Sequence, residues 1–462
     1  MNKPIYYTIP AVTPEALGSA AFRKAYGVRY SYYAGSMAKG ISSEDMVIAL
    51  GRAGYMGSYG SGGMPLDTVE RAIDRIKATL PEGPYLFNIL HTPNRQEDEE
   101  ALVTLFLRKS VRAIEASAFI EPTPALIRYR AAGLAADKNG DILAENKIIV
   151  KISREECAEK FMRPPDPDIT ASLLERGFIT PEQARWAKET PMADDVTAEA
   201  DSGGHTDNRP LISLLPLIIA VRDEIQSRFQ YKRQVRVGAA GGIGTALSAA
   251  AAFLMGADYV ATGSVNQACV EAGTSGYVKQ MLSKTDMYDV VMAPGADLFE
   301  SGARVQVMKK GTMFPMNAQK LYDIYTRCGC LEDIPDNDRR TLETRLFRTD
   351  LNTVWDLVKE YFSKTGEETI RRAEANGKVK MALVFRWYLG NSSSWAIRGD
   401  MERKMDMQIW CGQSMGAFNR WVKGSGLETA EKRTVTAVAG KIMREAAMIT
   451  MENCLRYACR ID

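Results

Sequence analysis

Short apolar segments alternate with amphipathic ones through the first 265 or so residues of the chain. Each apolar segment has four to six residues, which is typical of strands buried on both faces of a parallel sheet. Eight strands are predicted, at residues 30–34, 55–59, 85–90, 113–117, 147–152, 196–200, 235–239 and 259–262. The amphipathic segments predict helices, at residues 44–51, 66–80, 97–109, 124–133, 212–229 and 245–256.

Eight successive β/α units have the size of a TIM (β/α)₈ barrel, and we predict an α/β fold of that class. A doubly wound parallel sheet is the alternative. The fifth connection is unusually long, with a proline-rich stretch at 163–168 and a helical pattern at 180–189. We therefore expect an excursion from the barrel between the fifth and sixth strands.

The pattern changes after about residue 310, where helical segments follow one another with no regular strands. These segments are at residues 318–328, 336–344, 351–365 and 367–376. We predict a barrel over 1–310, a mostly helical lid or substrate domain over 311–424, and closing helices over 425–462. The helical domain is expected to cover the barrel mouth.

Composition narrows the class of protein without identifying it. Lys and Arg total 59 against 57 Asp and Glu, a balance that argues against nucleic-acid binding. The longest apolar runs are too short for a membrane span, so no membrane partner is expected. Seven cysteines without a Cys-x-x-Cys pair indicate reduced thiols, and we expect a cytoplasmic protein with no metal site. A homodimer is one expected assembly.

Glycine or a polar residue follows every predicted strand, which is the end where TIM barrels place their active sites. Gly241 and Gly242 follow the seventh strand, and Gly263 and Ser264 follow the eighth. Backbone N–H groups in such loops bind anions, and glycine permits close approach of a phosphate. The spacing of Gly238, Gly242 and Gly244 also resembles the glycine pattern of short-chain dehydrogenases. Those enzymes use a Tyr-x-x-x-Lys pair, and no tyrosine after Gly244 has a lysine four residues on, so this interpretation is rejected.

Three side chains at these strand ends are candidates for chemistry. His205, after two glycines in Ser202-Gly-Gly-His205, is the candidate for proton transfer. Lys151 interrupts an apolar strand of a barrel that has no edge. The ring of strand ends could hold a large planar, phosphorylated ligand, and if that ligand is a flavin, the charge of Lys151 could stabilise its anionic reduced form. Asn88 could bond the flavin edge. His91, the other histidine, is interpreted as structural.

The motif Ala200-Asp-Ser-Gly-Gly-His-Thr-Asp207, with the glycine loops at 240–243 and 256–264, resembles the 2-nitropropane dioxygenase-like flavoproteins. That group includes nitronate monooxygenases and flavin-dependent enoyl reductases. Two further motifs resemble the PfaD-type trans-acting enoyl reductases of polyketide and polyunsaturated fatty acid synthases. They are Gly311-Thr-Met-Phe-Pro-Met-Asn-Ala-Gln-Lys-Leu-Tyr-Asp323 and Trp410-Cys-Gly-Gln-Ser-Met-Gly-Ala-Phe-Asn419.

The resemblance implies FMN, NADPH and an enoyl thioester on the acyl carrier protein of a polyketide or fatty acid synthase. It implies His205 and Lys151 as catalytic residues. The cofactor-binding residues that it implies are Ala38, Asn88, Lys151, Gly203, Gly204, Gly241, Gly242, Gly263, Ser264 and Gln267. Arg386 and Arg398 are expected to meet the carrier. Nitronate oxidation and a non-catalytic flavin or carrier scaffold stay open as alternatives.

Overall fold

Eight parallel strands close into a barrel in the computed structural model, which describes residues 11–93, 95–363 and 366–458. We label the barrel strands β1 to β8, and each pairs with the strands that precede and follow it in the chain. Pairing of Tyr32 on β1 with Val260 on β8 closes the ring, so the TIM-barrel prediction is confirmed and the doubly wound sheet is excluded. The strands are Tyr32–Ala34, Met56–Tyr59, Leu86–Leu90, Ala113–Ser117, Lys147–Ile152, Asp195–Glu199, Arg236–Ala240 and Val260–Thr262.

Side-chain caps begin several of the helices between the barrel strands. Ser43 accepts a hydrogen bond from the Met46 amide, and Thr245 forms a reciprocal capping box with Ser248. The main helices of this part are Ala20–Tyr26, Glu44–Arg52, Leu66–Thr79, Gln96–Arg108, Pro124–Ala132, Glu155–Met162, Pro167–Glu175, Pro181–Ala187, Leu211–Phe229, Ala246–Leu254, Ser264–Gln267 and Val435–Ala458. The helices at 167–175 and 181–187 form the excursion predicted between β5 and β6. A hairpin of Leu134–Ala136 and Ile142–Ala144 was not predicted.

Two groups of polar side chains inside the barrel are bonded across it. Thr197 contacts the Tyr33 hydroxyl at 3.3 Å and the Tyr259 hydroxyl at 2.9 Å across the interior. Lower in the barrel, the fully buried Asp195 receives two hydrogen bonds of 2.6 Å from Arg236. Buried polar groups that are paired in this way hold the strands in one register.

The chain divides into two compact units. The barrel unit comprises residues 1–201, 207–273 and 421–462, and the helical unit comprises 202–206 and 274–420. Residues 274–310 thus group with the helical unit, and 421–462 with the barrel. The domain limits predicted from the sequence, 310 and 424, stay a prediction.

The helical unit contains a small antiparallel sheet that the sequence did not reveal. Arg304–Met308 is its central strand, flanked by Val290–Pro294 and by the two-residue strand Gly204–His205. The main helices here are Gly276–Leu282, Phe314–Arg327, Asp336–Thr341, Leu351–Phe362, Glu367–Ala375, Gly377–Arg398 and Ser414–Trp421, with a π-helical turn at Leu342–Phe347. The predicted end of one helix, at 365, lies outside the described residues. Within the described residues, 11–93, 95–363 and 366–458, no helix is both long enough and apolar enough to cross a bilayer.

Candidate functional site

The loops that follow β1 and β2 are bonded to each other at the carboxyl end of the barrel. The Lys39 amide donates to the Gly62 carbonyl at 2.8 Å, and the Gly40 amide donates to the Gly60 carbonyl at 2.9 Å. A Cβ on Gly60 would lie 1.8 Å from the Met37 carbonyl oxygen, so only glycine fits there. Ala38, a predicted flavin neighbour, therefore belongs to a loop with a defined position.

Asn88, on β3, is buried and held from β4. Its Nδ2 donates to the Glu115 carbonyl at 3.0 Å and to the Ser117 hydroxyl at 2.9 Å. Both N–H groups of the amide are therefore used, and the side chain is held in one orientation. A fixed amide of this kind can bind the polar edge of a planar ligand.

Lys151, on β5, lies between two carboxylates. Its ammonium nitrogen is 3.1 Å from Oε1 of Glu199 at the end of β6 and 3.7 Å from Oε1 of Glu115 on β4. Burial acts to lower the pKa of Lys151, but the two carboxylates outweigh it and raise this pKa above its ordinary value. The lysine is therefore a permanent cation at neutral pH.

Neither carboxylate was among the residues predicted from the sequence. Each is an acidic residue in a predicted strand of a closed barrel, where a buried charge needs a partner. The signal that points to Lys151, a charged residue within an apolar barrel strand, applies equally to Glu115 and Glu199.

The glycine loops after β7 and β8 leave open space for a ligand. A Cβ on Gly242 or on Gly263 would have no heavy atom within 4 Å, whereas one on Gly241 would lie 2.5 Å from the Ala200 carbonyl. Gly241 and Gly242 have φ of +83° and +70°, a region that favours glycine. Gly263 is followed by Ser264 and the buried Gln267 on a short helix. Even a single Cβ on Gly242 or on Gly263 would begin to fill this open cradle.

His205 belongs to the helical unit, where it pairs with Val305 in the small sheet. Its Nε2 is 3.6 Å from Asp297, and the two side chains are 49% and 76% exposed. Position 203 favours glycine because a Cβ there would lie only 2.9 Å from the Gly412 nitrogen. Position 204 favours glycine because its φ is +82°. The Ser-Gly-Gly-His motif is thus a sheet edge that presents the imidazole to solvent.

His91, after β3, is bonded far more firmly. Its Nδ1 is 2.7 Å from Glu99, a buried carboxylate that also accepts from the Thr92 amide at 2.8 Å and the Thr123 hydroxyl at 3.0 Å. Glu99 and Thr123 begin the helices after β3 and β4. This network ties two strand-end loops together, which agrees with a structural role.

Comparison with protein families identifies the barrel. A family model described as nitronate monooxygenase matches residues 23–312, more than half of the chain. The chain belongs to the nitronate monooxygenase family. A second model, the inserted helical domain of [acyl-carrier-protein] S-malonyltransferase, matches residues 328–407, within the helical unit. The family to which the motifs pointed is confirmed.

Curated relatives of this nitronate monooxygenase-family chain come from biosynthetic systems. It is 46% identical over 453 residues to a polyunsaturated fatty acid synthase subunit of Thraustochytrium, covering 96% of this chain and 30% of that protein. It is 45% identical over 442 residues to the polyketide biosynthesis protein PksE of Bacillus subtilis, covering 96% of this chain and 57% of that protein. The chain thus spans less than two thirds of either relative.

Solved structures extend the comparison to the whole fold. The enoyl reductase domain of MlnA from Bacillus amyloliquefaciens superimposes with a TM-score of 0.92 at 41% identity, covering 95% of this chain and 99% of that one. FabK from Thermotoga maritima superimposes with a TM-score of 0.57 at 19% identity, covering 97% of this chain and all of that one, and shares the fold. The nitronate monooxygenase-family barrel and the helical unit therefore occur together in the first of these structures.

Proposed function

We propose that this chain is an FMN-dependent enoyl reductase that acts in trans on an acyl carrier protein of a polyketide or polyunsaturated fatty acid synthase. The observation that carries the proposal is the similarity to the MlnA enoyl reductase domain across both units. Relatives from a fatty acid synthase and a polyketide pathway support the same assignment. NADPH is proposed as the reductant.

The residues of the barrel unit fit FMN. Gly241, Gly242, Gly263 and Ser264 would hold the phosphate in the open cradle after β7 and β8, and Gln267 would support it. The ring would lie against the strand ends that present Ala38, Asn88 and Lys151. Gly203 and Gly204, in segment 202–206 of the helical unit, are also proposed as cofactor-binding residues.

Bound FMN would supply hydride transfer from the nicotinamide to the β-carbon of the enoyl thioester. Lys151 remains protonated and offers positive charge where negative charge develops on reduction. The α-carbon needs a proton, and we propose that His205 provides it from its exposed imidazole or through a water that it orients. Segment 311–424 is proposed to receive the carrier-bound chain.

The test compares two substrates on the purified holoprotein. NADPH consumption is measured with an enoyl group on an acyl carrier protein, and oxygen consumption is measured with a nitronate. Reduction of the enoyl thioester with formation of the saturated product supports the proposal. Oxidation of the nitronate without enoyl reduction would replace it with nitronate monooxygenase activity, the alternative that the family match favours.

A further inference from the structure

The Lys151 cluster carries more negative than positive charge. One ammonium and two carboxylates, those of Glu115 and Glu199, give a formal net charge of −1 inside the barrel. A ligand beside Lys151 therefore meets a cation whose field is partly cancelled. In a poorly solvated site such cancellation is large, because charges a few ångströms apart interact far more strongly than in water.

Glu115 is the fixed member of the cluster. It is fully buried and lies 3.7 Å from the Lys151 ammonium. It accepts hydrogen bonds from the Ser36 amide at 2.9 Å and the Tyr33 hydroxyl at 3.3 Å. These bonds join β4 to the start of the β1 loop that carries Ala38. Its carboxylate is part of the scaffold, and replacing it would disturb several contacts at once.

Glu199 is the adjustable member. It is the last residue of β6, 26% of its side chain is exposed, and its carboxylate is the closer of the two to the Lys151 ammonium. Its negative charge therefore offsets the positive charge of Lys151 at the end of the barrel where the ligand is proposed to bind. Removing its charge would leave Lys151 paired with Glu115 alone, with the cluster formally neutral.

We propose that Glu199 is a positioning residue that acts through Lys151 to keep the midpoint potential of the bound flavin low. Reduction adds negative charge to the ring, which Lys151 stabilises and Glu199 opposes. A lower potential makes the reduced cofactor a stronger hydride donor toward the conjugated double bond. The inference rests on the proposed binding of FMN, and enoyl reduction is not needed to test it.

The experiment measures the midpoint potential of the FMN holoprotein against redox dyes in wild type, Glu199→Gln and Lys151→Met. Glu199→Gln should raise the potential by about 30 mV or more, a tenfold change in the ratio of reduced to oxidised flavin for a two-electron couple. Lys151→Met should shift it in the opposite direction and weaken FMN binding. Glu199→Asp, which restores the charge, should return the potential toward wild type.

The matched control is Glu145→Gln, which removes the same charge from a surface ion pair with Arg112 in which both side chains are 53% exposed. It should leave the potential unchanged. An equal shift in Glu145→Gln and Glu199→Gln, or no shift in either, would overturn the inference, as would a rise in Lys151→Met. A protein that takes up no FMN would overturn both this inference and the proposed function, whereas FMN binding with no effect of Glu199 would overturn the inference alone.

Discussion

Lys151 and His205, the two residues proposed to be catalytic, lie in opposite kinds of surroundings. Lys151 is held between two carboxylates within a closed barrel, and its charge state follows from those contacts. His205 is half exposed at a sheet edge, and its nearest carboxylate is more exposed still. The charge of Lys151 is set by contacts within the protein, whereas about half of the His205 side chain is open to solvent. The two should respond differently to mutation.

The largest effect is expected in the glycine loops after β7 and β8 of the barrel unit, where the phosphate of FMN is proposed to bind. Gly242→Val places a branched side chain at a φ of +70° and fills the open space, so FMN should be lost along with all activity. Absorbance of the purified protein at flavin wavelengths measures it. Gly426→Val is the control, because a Cβ there also meets nothing within 4 Å but the residue lies far along the chain in an exposed loop. FMN retained by Gly242→Val would remove the cradle from the proposal.

His205→Ala should leave FMN bound and lower turnover by roughly 10²–10⁴-fold, the usual contribution of a general acid. Stopped-flow absorbance should show flavin reduction by NADPH little changed and reoxidation by the enoyl thioester slowed. Asp297→Asn, which removes only the exposed neighbour, should have a small effect. Unchanged rates in both half-reactions would show that His205 is structural. It could then no longer be compared with Lys151 as a second catalytic residue.

A stability effect should separate the barrel's tight loops from more open positions. Gly60→Ala forces a Cβ against the Met37 carbonyl and should lower the free energy of unfolding by about 1–3 kcal/mol. Chemical denaturation monitored by circular dichroism measures this change. Gly276→Ala, where a Cβ meets nothing within 4 Å, should be close to neutral. Equal stability of the two variants would show that the β1 and β2 loops adjust freely.

The smallest effects are expected on the surface of the helical unit. Arg386 pairs with Glu300 at 3.3 Å, both more than a third exposed, and Arg398 is exposed at the end of its helix. Replacing either by Ala should change stability by less than about 1 kcal/mol. At least one should weaken the preference for an enoyl group on a carrier over the same group on a short thiol. Equal use of both substrates by wild type would exclude carrier recognition.

The barrel was predictable because each of its strands is a short apolar run between helical periods. Predicted and observed strands differ by at most two residues at either end; β1, for example, begins at Tyr32 rather than at residue 30. The small sheet was not predictable, because one of its strands has only two residues and gains its pairing from Arg304–Met308, far along the chain. Within the segment expected to be mostly helical, no separate helix is predicted at 377–398, because Gly390 and the serines at 392–394 interrupt its apolar pattern.

The candidate site residues also divide into those indicated by the local sequence pattern and those whose surroundings depend on pairing between distant segments. Lys151 is predicted because it interrupts an apolar barrel strand, and Asn88 because it is a polar residue at a strand end. Both contact β4 residues in the barrel interior. His205 was identified by its position after two glycines, but no local pattern indicated the sheet that holds it. Its geometry depends on pairing between distant segments, which local patterns do not record.

The excursion of residues 202–206 into the helical unit has a consequence for biosynthesis. Gly204 pairs with Gln306, so the sheet edge that carries His205 cannot form until about a hundred further residues have been synthesised. The barrel strands are complete by then, since β8 ends at Thr262. All eight barrel strands should therefore be synthesised before the strand Arg304–Met308, which pairs with the segment that carries the imidazole. A fragment that begins after His205 would lack one edge of the sheet.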